Sequence, residues 1–93
     1  MNRESVIFKF SGRLDADSFI AFARHRATRL DLPLAVLTSD NGQVALAVGG
    51  QPDLVDAFDM ACSLGPNDCI VLDVEREPAP EALLESRNEG MGQ

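Results

Sequence analysis

Ninety-three residues, of which 45% are apolar and 25% charged, describe one soluble-type domain with a single core and little margin. Two cysteines, Cys62 and Cys69, are too few for a disulfide framework or a structural zinc site, so no metal and no cofactor are expected. The net charge of −7 argues against nucleic acid as a partner, and no apolar run approaches the ~20 residues of a membrane span.

The charge is unevenly placed. Residues 1–30 hold six basic side chains against three acids, whereas residues 31–93 hold two against twelve. The opening MNRESVIFKF lacks the apolar stretch of a secretion signal, which predicts a cytoplasmic protein.

Residues 5–11 alternate Val6, Phe8 and Phe10 against Ile7, Lys9 and Ser11, the period of a strand. From Ser18 to Leu30 the apolar positions Phe19, Phe22, Ala23, Ala27 and Leu30 form a helical stripe, with Asp17 or Ser18 as the cap. The cluster Arg24, His25, Arg26, Arg29 reads as that helix's solvated side. Leu34–Thr38 and Val44–Val48 read as strands of a hairpin, because Asn41-Gly42 lies between them. Pro52 opens a second helix bearing Leu54, Val55, Phe58, Ala61 and Leu64, and Gly65-Pro66 ends it. Asp53 and Asp56 in its first turns complement the helix dipole. Ile70–Val74 is the last clear strand; beyond Glu77 the chain is polar and broken by Pro78 and Pro80, with one weak helical turn expected over Ala82–Ser86.

Strand, helix, strand, strand, helix, strand predicts an α+β fold: a ferredoxin-like two-layer sandwich, βαββαβ, with a four-stranded antiparallel sheet and two helices on one face. Residues 1–76 form the domain, and 77–93 a polar tail that is partly disordered or packed on the sheet. With Val6, Phe8, Phe10, Val36, Val44, Leu46 and Val48 facing the helices, the other face carries Ile7, Lys9, Ala35, Leu37, Ala45 and Ala47, joined by Ile70 or Leu72. That face is apolar for a solvated one, which makes Ile7, Leu37, Ala45, Ala47, Ile70 and Leu72 the candidate interface of a homodimer. Leu83 and Leu84 are the anchors by which the tail would cover it instead.

The stretch Phe10-Ser11-Gly12-Arg13-Leu14, followed by the first-helix stripe, Leu32, Asp40-Asn41-Gly42 and Gly65-Pro66, resembles the acylphosphatase family from about Val6 to Val74. The family's phosphate loop reads Gly-x-Val-Gln-Gly-Val-x-Phe-Arg, in which the Arg clamps the acyl phosphate and the loop amides surround its oxygens. The resemblance lays this loop on Gly12, Arg13, Leu14, Asp15, Ala16, Asp17, Ser18 and Phe19. The clamp then falls on Ile20, and the Asn that orients the attacking water falls on Thr38.

Isoleucine offers nothing in place of a bidentate guanidinium. Two aspartates in the loop repel a dianion, by about 4 kcal/mol for unit charges about 4 Å apart at an effective dielectric near 20. Arg13 and Arg24 are the candidate substitute cations. The expected reading is thus a vestigial phosphate loop on a catalytically inactive binding or self-assembly module. The alternatives are an acylphosphatase with a rearranged site and a small-ligand regulatory domain. Neither a membrane nor nucleic acid is an expected partner, and no small-molecule ligand is indicated.

Overall fold

In the computed structural model, which describes residues 3–80 and 83–84, the elements are β1 (Glu4–Arg13), α1 (Ala16–Arg29), β2 (Leu34–Ser39), β3 (Gln43–Gly50), α2 (Pro52–Leu64) and β4 (Ile70–Pro78). The four strands form one antiparallel sheet in the order β2-β3-β1-β4. Order and pairing are those of the ferredoxin-like βαββαβ sandwich predicted above.

β1 is the hub of the core. Phe8 and Phe10 are fully buried, as are Phe19 of α1 and Phe58 of α2. Phe10 meets Phe19 with ring centroids 5.0 Å apart, and Phe8 meets Phe58 at 5.7 Å. Each helix is therefore anchored to the same strand by one tilted aromatic pair, a geometry that adds to simple burial. The small residues Ala23 and Ala27 complete α1's buried face.

The start of α1 differs from the sequence reading. The cap is Asp15, in extended conformation, whose carboxylate accepts from the Ser18 amide at 3.1 Å; it is neither Asp17 nor Ser18. The helix starts earlier because Asp15 has the acceptor that the orphan first-turn amides need. At the other end, Leu32 N–H donates to Ala27 O and Asp31 N–H to Thr28 O, at 2.8 and 3.1 Å. This is a Schellman closure, with Asp31 in the left-handed region at φ 59°.

β4 runs to Pro78, four residues past the expected end at Val74. Its polar run Asp73-Val74-Glu75-Arg76-Glu77 has a loop's composition, yet Ile7 to Ser11 of β1 pair with it throughout. Arg76 explains part of that stability. Its guanidinium lies 3.2 Å from Asp56, 3.1 Å from Asp59 and 3.5 Å from Glu4, and its Cζ stands 5.1 Å from the Phe8 centroid. Asp56 thus serves β4 rather than the dipole of α2; Asp53, in the first turn, keeps the dipole role.

Past β4, Ala79 N–H donates to Ser5 O at 2.9 Å and Leu83 N–H to Pro80 O at 3.1 Å. Of the helical turn expected over Ala82–Ser86, Leu83 and Leu84 are helical; residues 82, 85 and 86 lie outside the described residues. Among the described residues no helix is long and apolar enough to cross a membrane.

Candidate functional site

Where β1 turns into α1, the loop residues Gly12, Arg13, Leu14, Asp15, Ala16 and Asp17, with Asn41 and Asp68, line a depression of about 600 Å³. Gly12 makes the turn feasible. Its φ is 152°, and a β-carbon there would overlap the Ile70 carbonyl oxygen of β4, at the point where the β1–β4 register shifts. Only glycine allows this approach.

The loop amides turn inward. Gly12 N–H donates to Gly42 O at 3.2 Å and Leu14 N–H to Asn41 O at 2.9 Å. Ala16 N–H donates to Asn41 Oδ1 at 3.0 Å, Ser18 N–H to Asp15 Oδ1 at 3.1 Å, and Asp15 N–H to Cys69 Sγ at 3.4 Å. The hydroxyl of Ser18 donates to Asp68 Oδ1 at 2.9 Å. The first turn of α1 and the strand leading into it are thus held by the β2–β3 turn on one side and the α2–β4 turn on the other.

Electrostatically the depression is acidic. Asp15, Asp17 and Asp68 line it against one guanidinium, that of Arg13. Arg24 is exposed on α1 and is not among the lining residues, so only one of the two candidate substitute cations is placed there. Phe19 is core; Ile20 packs half-buried against that core. Thr38 is exposed on β2, opposite Ala45, just past a bulge at Leu37. Neither Ile20 nor Thr38 lines the depression. Burial pushes the Cys69 thiol up, opposed by its hydrogen bond to the Asp15 backbone. It remains a neutral thiol that donates and accepts weakly at the loop.

No family profile and no curated protein matches the sequence. Solved structures do. An acylphosphatase from Coxiella burnetii superposes with TM-score 0.76 at 24% identity, over 85% of this chain and 83% of that one. An acylphosphatase from Bacillus subtilis gives TM-score 0.73 at 21% identity, over 81% of this chain and 83% of that one. A third is full-length HypF in its phosphate- and nucleotide-bound form, with TM-score 0.72 at 15% identity; the match covers 84% of this chain but 10% of HypF.

The chain has an acylphosphatase-like fold.

The open face of the acylphosphatase-like sheet divides the residues expected on it into two groups. Cross-strand pairing sets Ile7 beside Ala47, Ala47 beside Ala35, and Lys9 beside Ala45. Ala45 and Ala47 are buried there, and Leu37, at its bulge, is 38% exposed. Ile70 and Leu72 stand apart at the start of β4, 55% and 74% exposed. Ile70 pairs with Arg13, while Asp73, Glu75 and Glu77 pair with Ser11, Lys9 and Ile7. This face is thus a strip of mostly small apolar residues over β2, β3 and β1, broken by Lys9 and Thr38, with an acidic margin on β4.

As members of this site, Asn41, Asp68 and Cys69 carry no signal in the sequence that would place them at the loop. Asn41 carried one signal, its place in the Asn-Gly turn, but that signal speaks of the hairpin and not of its contact with Ala16.

Proposed function

We propose that this acylphosphatase-like chain is a non-catalytic domain that works in the cytoplasm as a binding or self-assembly module, with the open face of the sheet as its docking surface. One observation carries the non-catalytic reading: the amides of Leu14, Asp15, Ala16 and Ser18 already donate to protein acceptors. An acyl phosphate needs such donors free and a cation fixed beside them. Here three carboxylates face the depression, and the positions that the family resemblance assigns to the clamp and to the water-orienting amide hold Ile20 and Thr38.

The test is hydrolysis of benzoyl phosphate by the purified chain beside an Ile20→Arg/Thr38→Asn variant. The wild type is expected to match the uncatalysed rate. Turnover well above background by the wild type refutes the non-catalytic reading. A second reading, a hydrolase with a rearranged site, has one observation in its favour, the placement of Arg13 on the depression. It requires that Arg13→Ala abolish any turnover found.

A further inference from the structure

β3 ends on two glycines, and each is met by a leucine from a different part of the chain. Gly49 and Gly50 are successive strand residues, so their side-chain positions point to opposite faces of the sheet. Gly50, at φ 152°, faces the helices, and a β-carbon there would overlap Cδ2 of Leu32, a core residue. Gly49 faces the open side. Cδ1 of Leu84 lies 2.7 Å from the place of its missing β-carbon, closer than two unbonded carbons approach. Ser5 Oγ and Arg3 Nη2 each lie 3.5 Å from the same place, and Leu84 is buried there. Backbone bonds hold both sides of this corner. Ala79 N–H donates to the carbonyl of Ser5, the β1 partner of Gly49, and Leu83 N–H to Pro80 O. Gly49 N–H in turn donates to Pro33 O, next to Leu32, at 3.2 Å.

We propose that Ala79, Pro80, Leu83 and Leu84 form a strap that closes the corner where β3 hands over to α2, with the bare backbone of Gly49 as the seat for Leu84. Leu32 holds the strand end from the helix side and Leu84 from the open side, so the two glycines are clamped between them. The clamp sets the course of the chain into Gln51 and Pro52, where α2 starts. The folded unit then reaches at least to Leu84, past the boundary at residue 76 that composition suggests. The strap lies at the end of β3 remote from the loop depression, so it holds whether or not the chain turns over an acyl phosphate.

In the full chain, the seat is read by a change of sign. The φ of Gly49 lies outside the left-handed region, so alanine suits its strand backbone and by itself favours folding, by removing freedom from the unfolded chain. With Leu84 present, Gly49→Ala must displace the leucine. The folded-to-unfolded ratio from urea unfolding should then fall about fivefold. In a Leu84→Ala background the same substitution should raise that ratio about twofold. The difference of about tenfold is the scale of one leucine's burial. If Gly49→Ala raises the ratio or leaves it unchanged with Leu84 present, the strap is refuted. A fall that is as large without Leu84 refutes it as well, because Ser5 and Arg3 then crowd the new methyl. Should Leu84→Ala fail to fold, the wild type decides. Nuclear Overhauser contacts between the Leu84 methyls and the Gly49 α-protons are expected, and their absence overturns the proposal.

Discussion

The side-chain oxygen of Asn41, in the turn between β2 and β3, accepts the amide of Ala16, the first residue of α1, at 3.0 Å. The backbone carbonyl of the same residue accepts from Leu14 at 2.9 Å. One turn residue therefore fixes both the strand exit and the helix entry. This positioning has a measurable cost when removed. Asn41→Ala leaves the Ala16 amide without its acceptor, and the urea midpoint should fall by the equivalent of about 1–2 kcal/mol. An unchanged midpoint means that the loop is held by other contacts.

Asp31 closes α1 with a left-handed residue at φ 59°, where a β-carbon is costly and where a negative charge opposes the helix dipole. Asp31→Gly relieves both. Stability should rise by about 0.5 kcal/mol, equivalent to a melting temperature about 2–4 °C higher for a domain of this size. Asp31→Asn removes only the charge and should give a smaller gain that fades in salt. A fall in melting temperature for Asp31→Gly contradicts the assignment of strain to this residue.

Arg76 ties the edge strand β4 to α2 through Asp56 and Asp59, and covers Phe8. Its side chain is 36% exposed, so water weakens each pair. Arg76→Met keeps the apolar stem and removes the charge, and should destabilise by about 1 kcal/mol. The signature is salt dependence: added sodium chloride should narrow the gap between variant and wild type. A gap that does not move with salt assigns the loss to packing.

Cys62 is fully buried on α2, and burial pushes its thiol up to about 12, opposed by the nearby Arg26 charge and reinforced by Asp59. The unfolded chain releases this proton near its ordinary value of 9.0, so the folded state binds the extra proton between the two values. Stability from this group is complete below the unfolded value and is lost as pH rises toward the folded one, with a slope of up to about 1.4 kcal/mol per pH unit. The chain has no tyrosine, and Cys69, whose thiol burial also pushes up, is common to variant and wild type. Cys62→Ala should be less stable at neutral pH but decline less steeply in alkali, measured by urea unfolding from pH 8 to 11. Equal slopes for variant and wild type refute this assignment.

The sequence made most of the fold legible because core burial repeats with the period of each element. Alternation along Val6–Phe10 and the stripe from Phe19 to Ala27 locate β1 and α1, and Asn41-Gly42 locates the hairpin. Boundaries were less legible. Asp15, Asp17 and Ser18 are all competent caps, and only the chain's path shows which one meets a free amide. The pattern ends β4 at Val74 because Glu75, Arg76 and Glu77 look solvated, whereas the strand runs to Pro78. Their strand conformation comes from pairing with β1, and Arg76 finds its acids on α2, 17 and 20 residues earlier.

By itself, the sequence determined the element order, the identity of the core side chains, the one glycine and two acids of the first loop, and the isoleucine and threonine at positions 20 and 38. Local periodicity and residue chemistry suffice for that. Only the tertiary structure decided how the loop amides are used, because their acceptor Asn41 lies 25 residues from Ala16 and reaches it through strand register. The same holds for Leu84, whose partner Gly49 is 35 positions away by number and is a seat only because it lacks a side chain. Contacts at such separation depend on register, bulges and close approach, and a linear pattern records none of these.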